Sequence, residues 1–172
     1  MSNDSAKKAL GIAKAIQREV PKLGRPPAEG KMAQTDKVIP RSLFTDTRGY
    51  LEKVANQVNG RFEQGWFDGC AVMIRRLVET LIIEAFEQHG IADKIKTSNG
   101  DFYFLGDLIN DTIQEKIWNL TRNSKRALPK LKDVGDKSAH SRRYNAQYRD
   151  IEMIRPDLRV VVQELLYLSG FD

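Results

Sequence analysis

The stretch that decides the fold runs from Trp66 to Gln88 and reads WFDGCAVMIRRLVETLIIEAFEQ. At 100° per residue, its apolar side chains fall on two nearly opposite sides of a helix. The larger side comprises Phe67, Ala71, Ile74, Leu77, Val78, Leu81 and Ala85, and the smaller side comprises Val72, Ile83 and Phe86. Because such a helix is covered on two sides, the pattern predicts a central helix. Gly90 follows it as a left-handed cap.

The sequence on either side of this helix predicts more helices and no strands. Apolar residues recur at i, i+3 and i+4 in several further stretches, and none alternates as a half-buried strand does. The predicted helices begin near Thr47, at a cap on Asp101 with an end near Trp118, at Asn123 or Ser124, and at Asp150 with an end at Ser169. We expect Phe104 to lie within the helix capped by Asp101, and Pro129 to lie in a first turn or at a kink. The predicted fold class is all-α, a helical bundle of about five to six helices.

The first 46 residues have a different character. Ser5 to Val20 reads as an amphipathic helix, and the segment from Pro21 to Thr47 is rich in proline and glycine. We predict an N-terminal helical arm over residues 1–46 and a helical domain over residues 47–172. The apolar residues near the end of the arm are expected to attach it to the domain. They are Val38, Ile39, Leu43 and Phe44.

The composition predicts one soluble domain without disulfides. A chain of 172 residues with 41% hydrophobic residues can bury a single core. Cys70 is the only cysteine, and His89 and His140 are the only histidines, which is too few for a Cys/His zinc site. We therefore predict no metal and no cofactor. No apolar run approaches the ~20 residues of a membrane span, so the expected location is the cytoplasm, with no membrane contact.

The charged residues are unevenly distributed. The net charge is +5, and residues 122–149 carry a cationic excess against only Asp133 and Asp136. The cations of this stretch are Arg122, Lys125, Arg126, Lys130, Lys132, Lys137, Arg142, Arg143 and Arg149. Such clustering predicts an anionic partner, RNA or another phosphate-rich ligand first. The alternative is a solvated basic surface without a ligand.

A polar network is predicted between the central helix and the basic stretch. Arg75 and Glu79 are spaced i, i+4 on the smaller apolar side, and we expect both to be partly buried. Asp136 and His140 have the same spacing, so Asp136 can accept a hydrogen bond from the imidazole. His140 is then either a buried residue bonded to Glu79 or to a backbone carbonyl, or a catalytic group. The alternative for Arg75 and Glu79 is an ordinary surface pair.

Two segments resemble the HEPN-like superfamily. Residues 70–81 read CAVMIRRLVETL, and residues 131–140 read LKDVGDKSAH. They are similar to the RRxxE helix and the G[N/D]xxAH turn of a bacterial branch of that superfamily whose function is unknown. The resemblance covers roughly Thr47 to Ser169. It implies a helical bundle, frequent dimerisation, and roles in prokaryotic defence, toxin systems or RNA processing.

The resemblance also bears on catalysis. Active HEPN nucleases cut RNA without a metal, through an arginine placed shortly ahead of a histidine and paired across a dimer. In this chain the required positions hold Gly135, Val134 and Asp133. Lys132 lies one residue too far, and it lacks the guanidinium that makes a bidentate phosphate contact. The chain therefore departs from the cutting pattern.

Three functions remain open. The preferred one is an RNA- or phosphate-binding HEPN-like protein, as a homodimer or within a larger assembly. The second is a metal-independent endoribonuclease in which His140 works with Arg142 or Arg143. The third is a non-catalytic structural or partner-binding module in which Arg75, Glu79, Asp136 and His140 form an internal network.

Overall fold

A computed structural model describes residues 38–171, and over this range the chain is all-helical. Five α-helices are present: α1 (Gly49–Glu63), α2 (Phe67–Gln88), α3 (Leu105–Gln114), α4 (Arg122–His140) and α5 (Tyr148–Leu168). Short 3₁₀ helices lie at Arg41–Phe44 and Ala92–Ile95. The described residues form no strand, which confirms the prediction of an all-α helical bundle. The helix predicted over Ser5 to Val20 lies outside the described residues.

Helix α2 is the central element, as its two apolar sides predict. It packs against α1, α4 and α5. Six of the seven residues on its larger apolar side are fully buried, and Phe67 is half-buried. On the smaller side Phe86 is buried, while Val72 and Ile83 are half-buried. Gly90 ends the helix with φ = 66°, the left-handed conformation expected of its cap.

Helix α4 begins and continues for identifiable reasons. Thr121 is its cap, because the Thr121 hydroxyl accepts a hydrogen bond from the Ser124 amide at 3.3 Å. The helix therefore begins at Arg122, slightly before the predicted start. Pro129 lies inside the helix, beyond the predicted first turn. Proline has no N–H to donate to the Lys125 carbonyl. Because Pro129 is exposed, that carbonyl lies on the solvent side of the helix, where water can donate to it.

Helix α3 is shorter than predicted. It begins after Phe104, so Asp101 is not its cap, and it ends at Gln114. The Glu115 carboxylate accepts hydrogen bonds from the amides of Lys116 and Ile117, which favours an extended turn over another helical turn. Phe104, predicted to lie within this helix, precedes it and is 84% exposed.

Helix α5 and the chain before α1 complete the core. Asp150 is the third residue of α5, where it forms a capping box with Gln147. Val38, Ile39 and Phe44 are fully buried, as predicted. The buried Asn59 side chain accepts from the Val38 and Ile39 amides at 3.1 Å and donates to the Ile39 carbonyl at 2.8 Å. The packed body therefore includes the chain from Val38 onward.

No helix within residues 38–171 combines the length and the apolar composition that crossing a membrane requires.

Candidate functional site

The two segments that carry the sequence resemblance contact each other where α2 and α4 cross. Gly135 allows this contact, because a Cβ at that position would lie 2.5 Å from the Arg75 Cβ and 3.1 Å from the Ala71 carbonyl oxygen. Any larger residue would force the helices apart. The glycine therefore brings Asp136, the next residue of α4, within reach of α2.

Four side chains at this crossing form a half-buried group that we call the α2–α4 polar cluster: Arg75, Glu79, Lys132 and Asp136. The Arg75 Nε donates to Asp136 Oδ1 at 2.7 Å, and the Arg75 Nη1 donates to Glu79 Oε2 at 3.3 Å. The Lys132 ammonium donates to Asp136 Oδ2. The four side chains are between 24% and 33% exposed, which agrees with the partial burial expected for Arg75 and Glu79.

Asp136 is the centre of this cluster. Burial raises the pKa of its carboxyl, but the hydrogen bonds from Lys132 and Arg75 outweigh that effect and hold the pKa below its usual value. Each carboxylate oxygen thus has a cationic donor. The cluster joins the two helices through charge-assisted hydrogen bonds.

His140 lies outside the cluster, although the sequence interpretation placed it inside. It is the last residue of α4 and is exposed. Within residues 38–171 its imidazole forms no hydrogen bond or ion pair with another residue. The reason is competition, because Arg75 of α2 and Lys132 of α4 each donate to one of the two Asp136 carboxylate oxygens. Neither the predicted Asp136–His140 bond nor the Glu79–His140 bond is formed.

The lysines of the basic stretch are largely neutralised by neighbours. Lys130 pairs with Asp157 at 3.0 Å, and Lys137 pairs with Asp133 at 2.7 Å. Lys132 belongs to the α2–α4 polar cluster, and the Lys125 ammonium donates to the Asn119 side chain at 3.5 Å. An ion-paired lysine offers a phosphate less attraction than a free cation does.

The arginines of the stretch are different. All five are exposed, and none forms an ion pair within the part of the chain that the structure describes. They are Arg122, Arg126, Arg142, Arg143 and Arg149. These guanidinium groups are available for a ligand.

The five arginines do not form one patch. Arg122 and Arg126 lie in the first two turns of α4, whereas the other three follow its last residue. At 1.5 Å per residue, the helix separates Arg126 from His140 by about 21 Å. We call Arg142, Arg143 and Arg149 the C-terminal arginine group. The sequence could not show this division, because it depends on the straight run of α4.

The loop that carries Arg142 and Arg143 is attached to the start of α2. The Ala146 amide donates to Asp68 Oδ1 at 2.8 Å, and the Gln147 amide donates to Asp150 at 2.8 Å. The pKa of the Tyr144 hydroxyl is raised to about 12 by burial, by its hydrogen bond with Asp150 and by nearby carboxylates. The hydroxyl therefore stays protonated at neutral pH.

Sequence reasoning missed two exposed aromatic residues, one that directly follows this loop and one that directly precedes α2. Tyr148 is 54% exposed, and its ring lies 5.3 Å from that of Phe62 and 6.0 Å from that of Phe67. Trp66, directly before Phe67, is 38% exposed. The sequence does show an aromatic residue, Tyr148, adjacent to Arg149. The exposure of Tyr148 could not be predicted, because it depends on the packing between α1, α2 and α5.

Comparison of the chain with known protein families, with curated proteins and with solved structures finds nothing similar. Within residues 38–171, no group of three or more His, Cys, Asp or Glu side chains is arranged to hold a metal ion.

Proposed function

We propose that this protein is a HEPN-like helical protein that binds RNA or another phosphate-rich partner through the exposed arginines of residues 122–149. The observation that carries the proposal is the contrast between paired lysines and unpaired arginines along one stretch. Guanidinium groups bind phosphate oxygens through two parallel hydrogen bonds, which an ammonium cannot do. The arginines are therefore the expected phosphate contacts.

The HEPN-like part of the proposal is supported by the likeness of residues 70–81 and 131–140 to that superfamily's helix and turn. These segments lie against each other at Gly135. On this proposal the protein acts in a prokaryotic defence or toxin-type system, as a homodimer or within a larger assembly.

The test of RNA binding is its dependence on salt. Each phosphate contact releases counterions, so the logarithm of the affinity should fall linearly with the logarithm of the salt concentration. Replacing Arg142 and Arg143 together by alanine should weaken binding and reduce this slope by about 1.4, or about 0.7 for each contact with a single strand.

A charge-matched variant provides the control. Replacing Lys130 and Lys137 together by alanine removes the same charge from the same region, but both lysines are already paired with aspartates. It should reduce the slope less than the arginine double variant does. An RNA affinity that stays constant between low and moderate salt would contradict the proposal.

A second candidate function is metal-independent RNA cleavage, which is favoured by the exposure of His140. The imidazole has no partner within the described residues and precedes Arg142 and Arg143 by only a few positions. With the ribose 2′-hydroxyl as nucleophile, RNA should be cleaved in EDTA while DNA is spared. His140→Ala should abolish cleavage without changing the melting temperature, because the side chain is exposed. Intact RNA after prolonged incubation with folded protein would exclude this candidate.

A further inference from the structure

The end of the bundle where α1 leads into α2 also carries the start of α5, and an exposed aromatic ring lies there. Tyr148, the first residue of α5, contacts the ring of the buried Phe62 and that of the half-buried Phe67. The ring is supported from below by packed aromatic side chains while about half of its side chain stays accessible. Its orientation is set before any ligand arrives.

Trp66 is a second exposed aromatic residue at this end of the bundle. It ends the short connection between α1 and α2, directly before Phe67, and it is 38% exposed. By contrast, Trp118 is 8% exposed, and its indole N–H donates to the Thr112 carbonyl at 3.0 Å. Leaving a large ring in water forgoes the free energy that its burial would provide.

The C-terminal arginine group belongs to the same end of the molecule. Arg149 follows Tyr148 directly, and Arg142 and Arg143 lie in the loop that leads to it. That loop is attached by the Ala146 amide to Asp68, in the same first turn of α2 as Phe67. The carboxylates of Asp68 and Asp150 each accept a hydrogen bond from a backbone amide, whereas the guanidinium groups are unpaired within the described residues.

We propose that this aromatic–arginine surface, comprising Trp66, Arg142, Arg143, Tyr148 and Arg149, binds single-stranded RNA. Bases stack on Tyr148 and Trp66, and the arginines contact the phosphates. The inference rests on the proposed function and names its ligand class. Stacking on a protein ring requires bases that are not already stacked in a duplex. A surface that contacts only the phosphates of a duplex would need the arginines but not the aromatic rings of Tyr148 and Trp66.

The test compares single-stranded with duplex RNA. Tyr148→Leu keeps an apolar side chain against Phe62 and Phe67 but removes the stacking ring. It should weaken binding of a short oligouridine roughly 5- to 150-fold, the range for the loss of one stacked base, and leave the affinity for a blunt RNA duplex within about twofold. Tyr148→Phe keeps the ring and should bind as the wild type does.

Tyr167 supplies the matched control. It is 68% exposed and lies on the same helix, about 28 Å away at 1.5 Å per residue. Tyr167→Leu removes an exposed tyrosine far from the arginine group, so it should leave the oligouridine affinity unchanged.

Fluorescence reports on Trp66 directly. The chain has two tryptophans, and Trp118 is buried, so the quenching of accessible emission reports on Trp66. Oligouridine should quench the wild-type emission to saturation. The quenching should be absent in Trp66→Phe, whose ring still stacks and whose affinity should be preserved.

The outcomes separate the two proposals. If the wild-type protein binds no RNA, the proposed function fails. A different result would contradict the stacking proposal alone. In that case the wild type binds RNA, replacing Arg142 and Arg143 by alanine weakens binding, and Tyr148→Leu and Trp66→Leu bind oligouridine as the wild type does. An equal loss of single-stranded and duplex affinity also overturns stacking. Melting temperatures are measured for every variant, and Trp66→Leu decides the question if Tyr148→Leu does not fold.

Discussion

At the scale of single residues, Gly135 has the clearest physical role. Its missing Cβ is what allows α4 to lie against Ala71 and Arg75 of α2. Within a helix a glycine costs about 1 kcal/mol relative to alanine. The close approach offsets this cost by bringing Asp136 into hydrogen-bonding distance of Arg75. In the sequence the same glycine read as part of a turn, because nothing local shows what packs against it.

Replacing Gly135 by alanine should destabilise the protein. The new Cβ would lie 2.5 Å from the Arg75 Cβ, an atom too close to the backbone to move freely. Overpacking of this kind costs about 1 to 3 kcal/mol, which exceeds the gain in helix propensity. Urea denaturation should therefore show a lower free energy of unfolding.

Gly60→Ala provides the comparison for that experiment. Gly60 lies inside α1, and a Cβ there would meet no atom within 4 Å. The substitution should stabilise the protein by up to about 1 kcal/mol. If Gly135→Ala raises the free energy of unfolding as Gly60→Ala is expected to do, the proposed role of Gly135 is wrong.

At the scale of elements, Thr121 connects two helices. Its hydroxyl caps α4 by accepting from the Ser124 amide and lies 3.0 Å from Glu164 Oε2 of α5. The Thr121 amide donates to Glu164 Oε1 at 2.6 Å. One threonine therefore fixes both the start of α4 and its position beside α5.

Thr121→Ala should lower the free energy of unfolding by about 1 to 2 kcal/mol, because a helix loses its capping oxygen. Thr121→Ser keeps the hydroxyl and should restore most of the loss. Thr45→Ala serves as the control, since Thr45 is exposed and its hydroxyl donates only to the Ser42 carbonyl at 3.4 Å. Equal melting temperatures for Thr121→Ala and Thr45→Ala would count against the capping role.

At the scale of the whole molecule, two carboxyls make opposite contributions to stability. Burial raises the pKa of Glu84, although the Arg48 guanidinium at 3.3 Å lowers it in part. The folded state therefore favours protonated Glu84, and this contribution is lost as the pH rises through the folded-state pKa. Asp136 has a lowered pKa, so its contribution is present at neutral pH and is lost as the pH falls through its folded-state pKa.

The two neutral isosteres should accordingly shift stability in opposite directions. At pH 7, Glu84→Gln should raise the free energy of unfolding, and Asp136→Asn should lower it. Both differences from the wild type should shrink as the pH falls towards and below the pKa values of the two carboxyls, because each becomes neutral itself. Denaturation curves from pH 7 down to the acid limit of folding test this. A constant difference for either variant would contradict the assignment.

Apolar periodicity was enough to show which stretches are helical and where the centre of the core lies. Spacing along the chain fixes the buried side of a helix, so the larger apolar side of α2 could be assigned in advance, except for the half-buried Phe67 at its start. Val38, Ile39, Leu43 and Phe44 could be assigned because they are the apolar exceptions in a stretch rich in proline and glycine. The helix ends predicted at Asp101 and Trp118 were wrong. Where a helix begins or ends depends on competing hydrogen bonds, such as those by which Thr121 caps α4 and Glu115 forms the turn after α3.

The grouping of the charged residues, by contrast, depends on how the helices pack. Spacing by four placed His140 beside Asp136, but the cations of α2 and α4 that surround Asp136 leave the imidazole in solvent. Likewise, nine cations appear as one cluster in the sequence. Packing pairs three of the four lysines with carboxylates, and the length of α4 separates the arginines into two groups. Both results follow from a physical limit of sequence patterns. Periodicity reports the side on which a residue lies, whereas ion pairing and exposure depend on which other helix faces it.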